Sequence, residues 1–248
     1  MYKTTSLLGV VTTYDRKDRC SIQCSVNGER NSGTTFLATL LREHGLLVFD
    51  GLCIYNLQLL WKHDFPSPAL KFIGKSVINF FIIRDLDSWL VTTYHKPHHL
   101  LYSQYQPFCG FLYEKQYPLT GPDEALSIET LKPLNHTDEN KTIFEIRYEK
   151  IKAYLKYFNE NDNVVIVKLS YLQNEKNCIH FMQEITKKYG LNITNFKGGI
   201  DVHTKSNERN LKNIKYPTKI TPLDRYFINL QKDDEIENYV NNLTFEMK

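Results

Sequence analysis

Two stretches of this chain are apolar at nearly every position: VINFFIIR (77–84) and NVVIVKL (163–169). A strand with one wet face alternates apolar and polar residues. A strand buried on both faces does not, and a sheet covered by helices on both sides is where such strands belong. Each run is followed by a helical pattern. After the first, Leu86, Trp89, Leu90 and Thr93 recur at helical spacing, with Asp85 placed to cap. After the second, EKNCIHFMQEITKKYG turns Cys178, Phe181, Met182, Ile185 and Tyr189 inward and stops at Gly190. Upstream, SIQCSV (21–26) and LLVF (46–49) read as two short strands. Between them GTTFLATLLREHG reads as a helix with Phe36, Leu37, Leu40 and Leu41 on one face. Strand alternating with helix predicts an α/β domain with a central parallel sheet and right-handed crossovers.

Other segments are less regular. Residues 95–140 are rich in Tyr, Pro and His without a period and read as loops and short helices over one end of the sheet. IFEIRYEKIKAYLKYF (143–158) reads as a helix with Phe144, Tyr148, Ile151, Leu155 and Phe158 on its buried stripe. There is no repeat and no linker, so residues 1–248 read as one domain with its core over about 20–205. The segment 206–248 has no assigned structure beyond a short helix or tail near its end.

The 248 residues carry a net charge of +3, too little to argue for nucleic acid and compatible with a small anionic ligand. The first residues hold no apolar stretch long enough for a membrane span or a signal core, so a soluble cytoplasmic protein is expected. Five Cys without a CxxC pair read as reduced thiols. Cys20 and Cys24 share one strand face and suit core packing better than metal, and no metal site is expected.

The chemistry concentrates in GERNSGTTFL (28–37). A glycine-bearing turn from a strand into a helix presents successive main-chain N–H groups and a helix N-terminus, which together bind anions. Gly28 and Gly33 have the spacing of the nucleoside-triphosphate loop GxxxxGK[ST], but Thr34 stands where that loop has Lys. Without the Lys, nucleoside-triphosphate hydrolysis is disfavoured.

NSGTTF resembles the 5′-phosphosulfate loop of the sulfotransferases that use 3′-phosphoadenylyl sulfate (PAPS). Their loop is Lys or Arg followed by SGTT and a large apolar residue. FFIIRDLDSWLVTTY resembles the second signature of that family, a strand ending in Arg, then a helix bearing Ser and Tyr. Here these positions are Arg84, Thr92 and Tyr94. WKHDFP is similar to the family segment that carries the catalytic His, which puts His63 in that place. FKGGIDVHTK is similar to its C-terminal Arg-Lys-Gly loop, through Lys197 and Gly198. The resemblance covers residues 20 to about 205. It implies a three-layer fold like that of the P-loop nucleoside triphosphatases. Arg30, Asn31, Ser32, Gly33, Thr34, Thr35, Arg84, Thr92, Lys197 and Gly198 would hold PAPS or adenosine 3′,5′-bisphosphate.

The same resemblance implies in-line transfer of a sulfuryl group to a hydroxyl or amine of a small-molecule or saccharide acceptor. His63 would be the base, with Arg30 or Lys62 supplying charge in place of the family's loop cation, because Asn31 stands there. Plainer readings coexist: Arg84 paired with Asp85 or Asp87, His63 at the surface beside Asp64, and Lys197 in a solvated loop. A P-loop small-molecule or nucleoside kinase, and a catalytically silent nucleotide-binding module, are the alternative functions.

Overall fold

The computed structural model describes residues 23–50, 52–55, 58–63, 66, 77–95, 107–113, 141–198 and 219–248. Strand β1 (Cys24–Gly28) leads through the glycine-bearing turn into helix α1 (Thr34–Glu43) and strand β2 (Val48–Phe49). A two-stranded antiparallel ribbon follows, β3 (Leu52–Tyr55) and β4 (Gln58–Trp61). Next come β5 (Ile78–Ile83), α2 (Leu86–His95), α3 (Phe108–Tyr113) and α4 (Ile143–Glu160). The chain continues through β6 (Val164–Lys168), α5 (Leu169–Leu172) and α6 (Glu175–Tyr189). It ends in α7 (Pro222–Gln231), α8 (Asp234–Asn242) and β7 (Phe245–Met247).

The central sheet has five strands in the order β2-β1-β5-β6-β7. The first four are mutually parallel, with Gly28 level with Ile82 and Ile82 level with Val167, so their carboxyl ends form one rim. The sheet is therefore mixed and not wholly parallel as expected: β7 pairs antiparallel with β6, Ile166 facing Glu246. The physical reason is the connection. The chain returns from α6 through the helical pair α7–α8, which delivers the last strand to the free edge of β6 running backwards. The C-terminal residues that the sequence left as a helix or tail thus close the sheet.

The two apolar strands work as their composition requires. Phe81, Ile83, Val164 and Ile166 pack into a cluster with residues of α2, α3, α4, α7 and α8. Phe80, Ile82, Val165 and Val167 pack into a second cluster with residues of α1 and α6. Buried positions of α1 (Leu37, Leu40, Leu41), α2 (Leu86, Trp89, Leu90, Thr93) and α6 (Cys178, Phe181, Met182, Ile185) follow the expected faces, whereas Phe36 and Tyr189, expected on the same faces, are only partly buried against the second cluster. Helix α4 departs from its expected single stripe. Leu155 and Phe158 are only partly buried, whereas Arg147, Lys150, Tyr154 and Tyr157 are buried as well, because sheet, α3 and α8 enclose it. Both α4 and α7 start in capping boxes, Thr142 with Glu145 and Thr221 with Asp224, which satisfy main-chain N–H groups of the first turn.

Candidate anion site at the carboxyl rim of β1 and β5

From β1 the chain leaves to β2 on one side. It comes back to β5 on the other. Such a reversal opens a crevice outside the carboxyl ends of the two adjacent strands, the usual ligand position in open α/β sheets. Loop 29–33 and Arg84 both occupy that rim.

The loop's shape comes from two residues with left-handed backbone, Asn31 at φ 62° and Gly33 at φ 103°. Asn is the side-chain-bearing residue that, with Asp, tolerates this region best, and Gly meets no penalty there. Gly33 is required twice, since a Cβ on it would come within 2.7 Å of Leu169 Cδ1 at the start of α5. Gly28 is also pressed: a Cβ there would lie 2.6 Å from Ser32 Oγ and 2.7 Å from the Ile82 carbonyl. The loop braces itself internally. Ser32 donates from its main-chain N–H to the Glu29 carbonyl at 3.1 Å, and from its hydroxyl to the same oxygen at 2.6 Å. The Ser32 hydroxyl is thus wholly buried and turned into the loop, whereas Thr35 is exposed at the start of α1 and Thr34 is buried. The first N–H groups of α1 have no partner within the helix by construction, and they face the rim.

Arg84 extends from the end of β5 and donates from Nη1 to the Asn31 carbonyl at 3.0 Å. The two acids nearest it in sequence are engaged elsewhere. Asp85 pairs with Lys168 at 2.9 Å, and Asp87 accepts from Arg225 Nη1 at 2.9 Å. Asn31 Nδ2 lies 3.4 Å from Thr93 Oγ1, and the Trp89 indole donates to the Arg30 carbonyl at 2.8 Å. Helix α2 therefore clasps the loop from the second face. Thr92, the residue at the expected hydroxyl position, donates its hydroxyl to the Ser88 carbonyl at 2.7 Å, inside its own helix turn.

His63 sits beneath the loop and is buried, so its surface placement beside Asp64 does not occur. Its Nδ1 is 2.9 Å from the Gly28 carbonyl, which can only accept, so Nδ1 carries the proton and Nε2 keeps a lone pair. Burial drives its pKa well below the ordinary value; neighbouring Lys62, Arg30 and Lys150 push the same way against the Gly28 hydrogen bond. Lys62 is lowered as well, by burial first, and its main-chain carbonyl accepts the Gly28 N–H at 2.9 Å. Burial also lowers Arg84, opposed by Asp85. Lys150 donates to the His63 carbonyl at 2.8 Å. Lys62 and Arg84, each disfavoured as a cation by burial, stand with Arg30 and Lys150 about a partly dry rim, an arrangement whose charge is complementary to an anion.

Lys197 and Gly198 are not among the contacts of this rim. The Lys197 N–H donates to His44 Nε2 at 3.1 Å beyond the end of α1, and Gly198 packs on Glu175 so closely that a Cβ would meet Glu175 Cγ at 2.3 Å. Among the described residues no group of three or more His, Cys, Asp or Glu is placed to hold a metal ion, and no helix is long and apolar enough to cross a membrane.

The sequence reading missed the most heavily charged feature. Arg147 of α4 is fully buried. It donates to Glu29 Oε2 at 2.8 Å, to Glu237 Oε1 of α8 at 2.9 Å and to the Arg84 carbonyl at 2.8 Å. Its guanidinium also lies over the Trp89 ring, 5.0 Å from the centroid. The only trace in the sequence is an Arg within an apolar helical pattern, and the same trace is left by any solvated Arg.

Comparison with known proteins finds no matching family model, no matching curated protein and no matching solved structure. The likeness to sulfotransferases stands on the quoted motifs.

Proposed function

We propose that this protein is a cytoplasmic PAPS-dependent sulfotransferase with a P-loop-like core, acting on a hydroxyl or amine of a small-molecule or saccharide acceptor. One observation carries the reading. A lysine-free, left-handed SGTT loop is locked by an Arg from the neighbouring strand, above a buried neutral imidazole. Arg84 fits one phosphate of the nucleotide through its remaining N–H donors, and the N–H groups at the start of α1 with the Thr35 hydroxyl fit the other. Arg30 and Lys62 supply the positive charge that Asn31 does not.

PAPS would supply the sulfuryl group and, in adenosine 3′,5′-bisphosphate, the leaving group. The acceptor oxygen or nitrogen forms the new bond to sulfur as the sulfur–oxygen bond to the nucleotide phosphate breaks. The protein's part is to take the acceptor's proton and to hold charge on the leaving phosphate. His63 suits the first task because it is neutral with Nε2 unprotonated; the loop cations suit the second.

A second reading, a silent nucleotide-binding module, is favoured by Asn31. Titration calorimetry with adenosine 3′,5′-bisphosphate in the absence of magnesium tests the shared nucleotide site, with Mg-ATP as the comparison. Micromolar binding of the bisphosphate followed by transfer of labelled sulfate to an acceptor supports the enzyme. Binding without transfer across a broad acceptor panel supports the module, and binding of Mg-ATP alone supports a kinase.

A further inference from the structure

Behind the anion loop lies a charge cluster that the proposed chemistry does not use. Glu29 is the loop's first residue and is 1% exposed; Arg147 and Glu237 are 0% and 5% exposed. Two carboxylates share one guanidinium, and each keeps one buried oxygen, Glu29 Oε1 and Glu237 Oε2, with no hydrogen-bond partner among the described residues. An unpaired buried carboxylate oxygen is costly, and a protonated carboxyl relieves part of that cost.

We propose that Glu29, Arg147 and Glu237 form a positioning unit for the anion loop, and that Glu29 takes up a proton when an anion fills the loop. This rests on the reading of the 29–35 loop as an anion site, but not on the nucleotide being the anion.

The geometry gives both halves. Arg147 ties together the side chain of the loop's first residue, the main chain at the end of β5 and the Trp89 ring. Trp89 in turn fastens the Arg30 carbonyl. Three elements that form the rim therefore meet on one guanidinium. Among the described residues, the charged and titratable groups around Glu29 and its loop are Arg147 and Lys150 of α4, Glu237 of α8, Lys62 and His63 after β4, Arg84 after β5 and Arg30 in the loop itself. Burial lifts the Glu29 carboxyl to about 7; Arg147 and Lys150 oppose the rise and Glu237 adds to it. Negative charge seated on N–H groups of the loop that Glu29 begins disfavours its carboxylate further. Arg147 is held through both carboxylates, so loss of either loosens the loop.

The test is calorimetry at pH 8 in buffers of different ionisation enthalpy, with adenosine 3′,5′-bisphosphate and with inorganic pyrophosphate as probes. The monoester groups of the bisphosphate, with a second pKa near ~6, are already dianionic there and contribute few protons; pyrophosphate still carries an ionisable proton at that pH, so its count is read as the difference between wild type and Glu29→Gln. The expected result is uptake approaching one proton per bound anion, abolished in Glu29→Gln and reduced in Glu237→Gln, where Glu29 no longer has a like charge beside it. An infrared difference spectrum of the wild-type protein should show a protonated-carboxyl band on ligand addition, a readout that needs no variant to fold. Equal proton uptake in wild type and Glu29→Gln, or a buffer-independent heat, overturns this inference and leaves the nucleotide reading intact. Uptake with pyrophosphate when the nucleotide fails to bind sustains the inference and removes the nucleotide. If neither anion binds, both fall.

Discussion

The Arg84 guanidinium donates to the main-chain carbonyl of Asn31, 53 positions earlier in the chain, at 3.0 Å. One cation thus sets the shape of the loop and presents its remaining donors to whatever the loop holds. Replacing Arg84 by Ala removes both. Hydrogen bonds to charged groups are worth about 1.5–3 kcal/mol, so the dissociation constant for adenosine 3′,5′-bisphosphate should rise by about 10- to 150-fold. Magnesium-free calorimetry reads this directly, and an unchanged constant would remove Arg84 from the site.

Asn31 is a conformational choice as much as a missing cation. Its φ of 62° lies in the left-handed region, which Asn visits and Lys avoids. Asn31→Lys should restore charge to the loop and tighten bisphosphate binding, while lowering stability by about 1–2 kcal/mol. Urea denaturation and calorimetry on the same sample measure the two effects, and tighter binding without a stability loss would contradict the assigned backbone.

Gly33→Ala should be more damaging than a usual loop substitution. The residue combines a φ of 103° with a Cβ contact of 2.7 Å to Leu169. Backbone strain of this kind costs about 1–3 kcal/mol, before the clash is added. The denaturation midpoint should fall accordingly. A midpoint equal to wild type would show that α5 yields without cost.

His63 and Glu29 should give opposite pH slopes. The folded pKa of His63 lies well below 6.5, so as pH falls under 6.5 the unfolded chain binds a proton that the native protein refuses. Its contribution is complete above 6.5 and is lost on acidification. The Glu29 carboxyl is raised from 4.5 to about 7, so between those values the native state holds the extra proton. Its contribution is complete below 4.5 and is lost as pH rises through about 7. In urea melts across this range, His63→Gln should remove the acid-side loss, and Glu29→Gln should make stability climb more steeply with pH. Parallel profiles in wild type and both variants would show that neither group is buried as described.

Glu237→Ala leaves Arg147 buried with half its charge partners. Breaking a buried pair on one side typically costs about 3–5 kcal/mol. The expected outcome is a large loss of stability together with weakened anion binding, even though Glu237 lies in α8, outside the rim. A variant that melts like wild type would mean that Glu29 alone satisfies the guanidinium.

The sequence by itself determined the elements whose signal is local. The apolar runs at 77–84 and 163–169 read as covered strands, because they are short, rich in β-branched and aromatic residues, and apolar on both faces. The helical faces of α1, α2 and α6 followed from a spacing of 3.6. The turn at 28–35 was legible because glycine spacing and hydroxyls constrain a few adjacent residues. Tertiary structure alone decided the rest. The partners of Arg147 lie 118 and 90 positions away, and nothing in the pattern of α4 distinguishes an Arg with two buried carboxylates from one in water. The last strand runs antiparallel because of where α7 and α8 dock, which their own amphipathic patterns do not specify. His63 is buried because the loop and α4 close over it, and burial, not the identity of the residue, makes its imidazole neutral. Periodicity records which face of an element is apolar; it carries no record of the partner that covers it, and a buried charge is recognised only by that partner.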